Sequence, residues 1–494
     1  CIRDSAMHFV YSGNFIGQVE RCQFDTVRMV MGINQEEFCW NLKAGDEFQA
    51  PEVVMVYSAE GLGKMTRSYH AFYRRHMIRS PYNHKKRPIL INNWEATYFD
   101  FDTDKLLDIA REAKKDGIEM LVMDDGWFGK REDDRSGLGD WYVTNYEKLP
   151  DGIEGLAGKI KKMGMRFGLW FEPEMVNKDS DLYRSHPDWI LCAPGRIPSP
   201  SRNQYVLDFS RPEVVAYIYG LMEKILSSGD ISYVKWDMNR YITECYSAKK
   251  TEREQGKVFH QYILGVYALY ERLTKAFPEI LFESCSSGGA RFDPGMLYYA
   301  PQTWTSDDTD AMERVRIQYG TSYVYPLSSM GAHVSEVPNQ QTGRVTPLKT
   351  RANAAMFGVF GYELDLSQMT ELEKAEIKGQ VQFVKAHRHL IQHGVFYRLL
   401  NPFEGREAGW IVVSEDQSEA LAAYYQMSAE PNGPWKRLKL AGLCPEKKYI
   451  VDGEDARVYS GSELMNVGII VKKESLCANG GDYSSKVYYL REKA

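Results

Sequence analysis

The chain lacks two features that would direct it to a membrane or to nucleic acid. None of its apolar runs approaches the roughly 20 residues that a membrane-spanning helix requires. Its 61 lysines and arginines do not outnumber its 67 aspartates and glutamates, and its formal net charge is −6. Such a charge gives no broad electrostatic attraction to phosphate-rich surfaces. We therefore expect a neutral partner, with no nucleic acid and no membrane.

Metal-binding and redox motifs are also missing. The eight cysteines show no CxxC spacing, the ten histidines include no HExxH, and no GK[ST] follows the glycine pair at 288 and 289. These absences predict no metal and no cofactor. The scattered cysteines predict mostly reduced thiols. A cytoplasmic location is expected, and His333 is interpreted as an ordinary polar loop residue. The cysteines are Cys1, Cys22, Cys39, Cys192, Cys245, Cys285, Cys444 and Cys477.

Aromatic residues, in contrast, are abundant: 32 tyrosines, 21 phenylalanines and 10 tryptophans. An aromatic face covers the apolar C–H face of a pyranose, so this content suits sugar recognition, although core packing accounts for most of it. The length of 494 residues exceeds what one hydrophobic core usually supports and predicts two or three domains.

The pattern of apolar residues divides the chain into four parts. Residues 1–60 contain short runs such as PEVVMVYS between turn residues, which is typical of antiparallel strands. A helical linker is expected over residues 61–86. Strands and helices alternate over residues 87–395, and residues 396–494 return to closely spaced strands, which predicts an antiparallel β-sandwich. The chain opens at Cys1 without Met, so we expect it to begin inside a domain, which leaves an upstream signal peptide open.

The alternating region predicts a (β/α)8 TIM barrel. Ser210 and Glu213 have capping-box spacing before one of its helices. A doubly wound parallel sheet is the alternative architecture. Eight apolar runs are interpreted as the strands: PILINNW, IEMLVMDDGW, MRFGLWFEPE, YVLDFS, ISYVKWDMNR, ILFESCSSGG, PQTWTSDDTD and VYPLSSMGA.

Active sites of such barrels lie at the carboxyl ends of the strands, so the polar residues there are the candidates for chemistry. In ISYVKWDMNR the alternation of side chains places Lys235, Asp237 and Asn239 on one face. Burying a carboxylate beside a lysine is costly unless the pair is compensated, which favours a function over the alternative of a structural ion pair.

A second carboxylate follows the strand-like segment TWTS. Asp310 or Asp308 is more simply interpreted as a helix cap or a partner of the helix dipole, because acidic residues are favoured at helix N-termini. Asp307 ends the strand and has no such role. Two aspartates from different strands suit glycosidic-bond hydrolysis, in which one carboxylate attacks the anomeric carbon and the other protonates the leaving oxygen. A carboxyl separation of about 5 Å would mean retention, and about 6.5 Å or more would mean inversion.

Other strand ends carry groups suited to binding hydroxyls. Asp124 and Asp125 would point to opposite faces if their strand persisted, whereas a turn at Gly126 would aim both inward. The remaining candidates of this kind are Trp170, Glu172, Arg202, Cys285 and Gly288.

Six segments, taken in order, closely resemble glycoside hydrolase family 36 α-galactosidases: DDGWFG, GLWFEPEMV, RNQYVLDFSRPEV, YVKWDMNR, ESCSSGGARFD and WTSDDTDAMERVRIQYG. The resemblance covers residues 1 to about 490 and is densest between 90 and 335. It implies a large N-terminal β-supersandwich, of which residues 1–60 would be the tail, then the barrel and a C-terminal β domain. It also implies a homo-oligomer, a tetramer in the full-length form.

By this resemblance the protein removes terminal α-galactose from oligosaccharides of the melibiose and raffinose type, with retention and without a metal. Asp237 would be the nucleophile, kept ionised by Lys235, and Asp307 the acid/base, its pKa raised by burial. One departure from the pattern is Ser201, where a glycine is expected before the arginine. The galactose would be held by Asp124, Asp125, Trp170, Arg202, Lys235, Asn239, Cys285 and Gly288.

Three alternatives stay open. A metal-dependent barrel enzyme would use the same aspartates as Mg²⁺ ligands. A carbohydrate-binding protein without turnover would keep the aromatic and polar groups. Related enzymes that act on α-N-acetylgalactosamine, or that transfer galactose, are nearer alternatives, and Cys285 lies where a bulkier 2-substituent would be admitted or refused.

Overall fold

The structure, a computed structural model, describes residues 5–452, 457–472, 476 and 481–493. Cys1 and Cys477 lie outside these residues, and the six described cysteines are free thiols. No helix among the described residues is long and apolar enough to cross a membrane.

The N-terminal segment forms two antiparallel strand pairs and a helix. Its strands are β1 (Ser5–Phe9), β2 (Phe15–Arg21), β3 (Val27–Ile33) and β4 (Val53–Tyr57). β1 pairs with β4 and β2 with β3. Helix α1 (Gly61–Phe72) follows and continues as a π-helical turn over Tyr73–Met77, so the predicted helical segment forms. It packs through buried tyrosines on later elements of the chain.

Eight parallel strands close into a barrel, as the sequence predicts. Strands buried on both faces read as continuous apolar runs, which is why MLVM and RFGLWF carry so little polarity. In chain order the strands of this region are β5 (Leu90–Asn92), β6 (Met120–Met123), β7 (Arg166–Phe171), β8 (Met175–Asn177), β9 (Gln204–Val206), β10 (Ile231–Trp236), β11 (Leu281–Ser284), β12 (Gln302–Trp304), β13 (Met330–Ser335) and β14 (Val359–Glu363). All except β8 and β9 belong to the barrel.

Helices connect the barrel strands and cover their outer faces. In the second of them the predicted face of Leu106, Leu107, Ile109, Ala110 and Ala113 is buried. The helices are α2 (Trp94–Thr97), α3 (Thr103–Lys115), α4 (Gly152–Lys162), α5 (Asp181–Ser185), α6 (Pro212–Ser228), α7 (Val258–Ala276), α8 (Pro294–Tyr299), α9 (Ala311–Thr321), α10 (Leu348–Ala355) and α11 (Glu371–His393).

One strand assignment is wrong. The run YVLDFS contains β9, which pairs antiparallel with β8 outside the barrel. The missing barrel strand is β14, in the run VFGYE, which joins β13 to β5 and closes the ring. Both runs are short and apolar, and hydrophobic periodicity alone does not distinguish a barrel strand from a strand of another sheet.

The predicted capping box is also wrong. Helix α6 starts at Pro212 with Arg211 at the N-cap, and the hydroxyl of Ser210 donates to Asp208 instead of capping the helix. Proline suits the first helical position because its φ is already helical and it has no N–H to satisfy. The helix therefore begins one residue later than the capping box requires.

The C-terminal part is antiparallel, as predicted. Six strands form one sheet in the order β15-β16-β17-β22-β19-β20, and β18 pairs with β21. Buried residues from both sheets and from helix α12 (Gly461–Asn466) form a second hydrophobic core. The strands are β15 (Val395–Leu400), β16 (Glu407–Val413), β17 (Glu419–Gln426), β18 (Lys436–Leu438), β19 (Lys448–Val451), β20 (Val458–Ser460), β21 (Ile469–Val471) and β22 (Ser484–Glu492).

Candidate active site

A cavity of about 370 Å³ opens at the carboxyl ends of the barrel strands. It combines carboxylates, cations and aromatic rings in one space. Among its lining residues are Asp124, Asp125, Trp170, Arg202, Lys235, Asp237, Asn239 and Asp307, each named from the sequence.

Asp237 follows directly after β10 and has a fixed orientation. Its Oδ2 accepts a hydrogen bond from Trp170 Nε1 at 3.2 Å, and its Oδ1 accepts from the backbone N–H groups of Met238 at 2.8 Å and Ser287 at 3.4 Å. Trp170 comes from β7, the neighbour of β10 in the barrel. Donors from three parts of the chain therefore aim this carboxylate into the cavity.

Lys235 and Asp124 form a buried ion pair. The lysine Nζ donates to Asp124 Oδ2 at 2.9 Å, and Asn92 Nδ2 donates to the same oxygen at 2.7 Å. Burial by itself lowers the pKa of Lys235, but the charge of Asp124 together with those of Cys285, Glu363 and Asp237 outweighs it, and the pKa lies well above its ordinary value. The hydrogen-bonded partner of Lys235 is thus Asp124, while Asp237 acts on it only through space.

Asp125 is bound by an arginine that was not predicted from the sequence as a site residue. Arg131 donates through Nε and Nη2 to the two oxygens of Asp125, at 2.7 Å each. Both side chains are buried. Strand β6 ends at Met123, and Gly126 adopts φ +114°, so the turn admits both aspartates to the cavity. Asp124 and Asp125 therefore both face the cavity, as expected for a turn at Gly126, and do not point to opposite faces.

Asp307 lies in a different environment from Asp237. Its Oδ1 accepts from Trp304 Nε1 at 3.1 Å. Burial raises the pKa of Asp307, the charge of Asp237 raises it further, and the cations Lys235 and Arg202 oppose this shift. The carboxyl therefore keeps its proton to a higher pH than an ordinary aspartate.

One of the two neighbouring acids, Asp310, has the predicted capping role. Asp310 is the N-cap of α9 and accepts from the backbone N–H groups of Met312 and Glu313. Asp308 accepts from the N–H of Asp310 at 3.0 Å. Neither belongs to the cavity lining.

Arg202 is placed at the cavity by an unusual backbone conformation. Its φ is +50° and that of Asn203 is +58°, so the left-handed residues are these two and not Ser201, where the glycine was expected. The guanidinium donates to Asn239 Oδ1 at 2.9 Å, and the Ser287 hydroxyl donates to the same oxygen at 3.1 Å. The loop thus couples Arg202 to the strand end that carries Asp237.

Two predicted residues lie behind the cavity wall and not on its surface. Cys285 is buried, and its Sγ accepts from the backbone N–H of Gly288 at 3.4 Å. Gly288 adopts φ +86°, and a Cβ there would lie 2.6 Å from the Cα of Ser306. These residues pack the loop of Asp237 against the loop of Asp307.

Three buried glutamates line the cavity, of which only Glu172 was named from the sequence. Burial raises the pKa of Glu95, Glu172 and Glu363 to about 8 in each case. Glu172 accepts from Gln204 Nε2 at 3.0 Å and from the backbone N–H of Asn239. Glu363 ends β14, so the polar residue closing the run VFGYE was the available signal.

The interpretation of His333 as a loop residue is wrong. It lies in β13, is buried, and its Nδ1 is 3.0 Å from Glu363 Oε2. Burial lowers its pKa to about 3. A histidine between small residues in MGAHVS does not reveal a strand, because the apolar signal there is weak. Among the described residues no cluster of three or more His, Cys, Asp or Glu side chains is arranged to hold a metal ion.

Three family models match the chain. One is described as Melibiase and matches residues 47–394, and two others match residues 5–43 and 407–490 as the N-terminal and C-terminal domains of Glycosyl hydrolase family 36. Together they account for nearly all the described residues.

Similar curated proteins are α-galactosidases. The chain is 54% identical over 483 residues to alpha-galactosidase AgaA of Geobacillus stearothermophilus. The aligned residues cover 98% of this chain and 65% of that protein. The chain is 49% identical over 463 residues to the bifunctional alpha-galactosidase/sucrose kinase AgaSK of Mediterraneibacter gnavus, with 94% and 48% covered. The chain thus spans 65% or less of the length of these two relatives.

Solved structures show the same fold. The crystal structure of AgaA superposes with a TM-score of 0.96 at 54% identity, over 99% of this chain and 67% of that one. Variants of AgaA solved in complex with raffinose and with stachyose superpose equally well, at 53% identity and the same coverage.

Proposed function

Because this chain belongs to glycosyl hydrolase family 36, we propose that it is an α-galactosidase that removes terminal α-galactose with retention of configuration. The observation that carries the mechanism is the contrast between two aspartates of one cavity. Asp237 accepts hydrogen bonds from three donors, whereas Asp307 is buried, with its pKa raised. Carboxyl groups in opposed environments suit the two roles of a retaining glycosidase.

In the first step, the carboxylate of Asp237 attacks the anomeric carbon while Asp307 gives its proton to the departing glycosidic oxygen. The product is a β-galactosyl ester on Asp237, and Asp307 is left as a carboxylate. In the second step, Asp307 takes a proton from water, which attacks the anomeric carbon and releases Asp237. Each aspartate ends the cycle in its starting state.

The remaining polar groups of the cavity are proposed to bind the hydroxyls of galactose. Asp124 and Asp125 offer acceptor oxygens held by Lys235 and Arg131, and Arg202 and Asn239 add a hydrogen-bonded pair of polar groups. Trp170 adds a ring surface for the sugar. Cys285 and Gly288 act from behind the wall, by limiting the space beside Asp237. The α-galactosides taken by the AgaA variants, raffinose and stachyose, indicate oligosaccharides of this type as substrates.

The domain assignment is part of the same proposal. We propose that residues 87–395 form the catalytic barrel and residues 396–494 a C-terminal β-sandwich, with residues 1–60 the tail of an N-terminal β domain and 61–86 a helical linker. A homo-oligomer, tetrameric in the full-length form, and a cytoplasmic location complete the proposal.

The test is release of p-nitrophenol from its α-galactoside by the parent chain and by Asp237→Ala, with azide added to the variant and the products followed by NMR. We expect turnover by the parent, none by the variant, and formation of β-galactosyl azide on rescue, because azide replaces the missing nucleophile. A folded parent that binds galactose without hydrolysis would support a binding protein instead. Loss of parent activity with a chelator would support the metal-dependent alternative.

A further inference from the structure

Arg314 is a buried cation that makes no ion pair with the described carboxylates. Its guanidinium donates instead to the backbone carbonyl oxygens of Ser306 and Asp308, at 2.8 Å each, and of Gly331 at 3.1 Å, and to the Thr305 hydroxyl. Burying a charge is costly unless hydrogen bonds compensate it. Here three backbone carbonyls and one hydroxyl supply the compensation, and two of the carbonyls belong to the same loop.

That loop carries Asp307. Ser306 and Asp308 flank the aspartate, so Arg314 holds the chain on both sides of it. The guanidinium also lies 4.1 Å from the centroid of the Trp304 ring, within the range of a cation–π contact. Trp304 in turn donates to Asp307 Oδ1. Arg314 therefore fixes the position of the Asp307 carboxyl in two ways. It binds the backbone on both sides of Asp307, and it contacts the indole ring that donates to the carboxyl.

We propose that Arg314 and Trp304 are positioning residues for the proton transfer by Asp307. This inference rests on the proposed function. Arg314 does not line the cavity, so it acts on the reaction only through the placement of Asp307. Trp304 orients the carboxyl by its hydrogen bond, and Arg314 holds both the ring and the loop.

The proposal predicts an effect that depends on the leaving group. When the glycosidic C–O bond breaks, a sugar leaving group needs the proton from Asp307, because an unprotonated sugar alkoxide is a poor leaving group. A 2,4-dinitrophenolate leaves as a stable anion without that proton. Misplacing Asp307 therefore slows the first substrate and largely spares the second.

The experiment compares the parent with Arg314→Gln and with Arg316→Gln, a control two residues along the same helix whose partner is the partly exposed Glu313. For Arg314→Gln we expect kcat/KM to fall by about 100-fold on melibiose and by less than about threefold on 2,4-dinitrophenyl α-galactoside, in line with the usual contribution of general acid catalysis. Azide should raise kcat of this variant on the aryl substrate and yield α-galactosyl azide, because an anion attacks the galactosyl enzyme without a general base. The control should behave as the parent on both substrates.

An equal loss on the two substrates, or no response to azide, would overturn the proposal and leave the hydrolase function standing. Trp304→Phe gives a second reading if Arg314→Gln does not fold, because it keeps an aromatic ring beside Arg314 and removes the donor to Asp307. We expect the same selective loss on melibiose, and its absence would overturn the proposal. A folded parent that hydrolyses neither substrate would overturn the proposed function and this inference with it.

Discussion

Trp170 and Lys235 are partners in the register of β7 and β10, and each binds a different aspartate. Trp170 donates to Asp237 at 3.2 Å, and Lys235 donates to Asp124 at 2.9 Å. Adjacent strands of a parallel barrel bring their ends to the same edge. One pair of neighbours thus orients the proposed nucleophile and one of the proposed sugar-binding carboxylates.

Replacing Trp170 with phenylalanine should impair the chemistry while keeping most of the packing. The variant loses the donor to Asp237, and a hydrogen bond to a charged group contributes about 1.5–3 kcal/mol, so we expect kcat/KM to fall about 10- to 100-fold. Steady-state kinetics on melibiose measure the effect. Trp410→Phe is the control, because its indole N–H has no partner among the described residues. A parent-like kcat/KM for Trp170→Phe would refute a role for this hydrogen bond.

Removing Arg131 should destabilise the fold. The substitution Arg131→Met leaves Asp125 buried without its partner, and breaking a buried pair in this way costs about 3–5 kcal/mol. Urea unfolding followed by circular dichroism measures the loss. Arg135→Met is the matched control, because that side chain is 78% exposed and pairs only loosely with Asp133. Similar midpoints for the two variants would contradict the importance of the buried pair.

The fold class and the two proposed catalytic aspartates could be predicted because each depends on a local pattern. Apolar runs that end in acidic residues mark strand ends, and the alternation in YVKWDMNR orders Lys235 and Asp237 on one face. Glu95 and Arg131 could not be found in this way. Each lies in a connection after a strand, and its place in the cavity depends on how that connection folds back.

The wrong assignment of one barrel strand also arises because the position of a segment depends on residues distant in the sequence. YVLDFS and VFGYE are apolar runs of similar length, and only their partners in space distinguish them, β8 for the first and β13 with β5 for the second. His333 was misplaced because the predicted strand run VYPLSSMGA stops at Ala332, whereas β13 continues to Ser335. Glu363 was not predicted as a site residue because β14, the strand that it ends, was not predicted.

Stability should fall with increasing pH in the neutral range. The pKa values of Glu95, Glu172 and Glu363 rise from 4.5 to about 8 on folding, because of burial. The folded protein therefore holds protons that the unfolded chain has released, so this stabilising contribution is complete below pH 4.5 and is lost as the pH rises through about 8. Each proton contributes a slope of about −1.4 kcal/mol per pH unit.

Urea unfolding at several values from about pH 6 to about pH 8 measures this slope. Glu363→Gln should have a shallower dependence than the parent, because one of the groups that bind a proton on folding is gone. Glu371→Gln controls for the loss of a carboxylate at a position that is 92% exposed. If Glu363→Gln retained the full slope of the parent, Glu363 would not be one of the groups that bind a proton on folding.

Substituting Gly288 should disturb catalysis through the backbone of the neighbouring loop. A Cβ at this position would lie 2.6 Å from the Cα of Ser306 and 2.8 Å from the backbone nitrogen of Asp307, so the loop must move. A displacement of about 1 Å in a reacting group costs about 100-fold in rate, which is the fall in kcat/KM that we expect for Gly288→Ala. Gly195→Ala separates this effect from backbone strain, because Gly195 also has a positive φ, +73°, but nothing lies within 4 Å of its added Cβ. Both variants should lose some thermal stability, and only Gly288→Ala should lose activity. Equal kinetics for the two would show that the contact with the Asp307 loop does not determine the position of the acid/base.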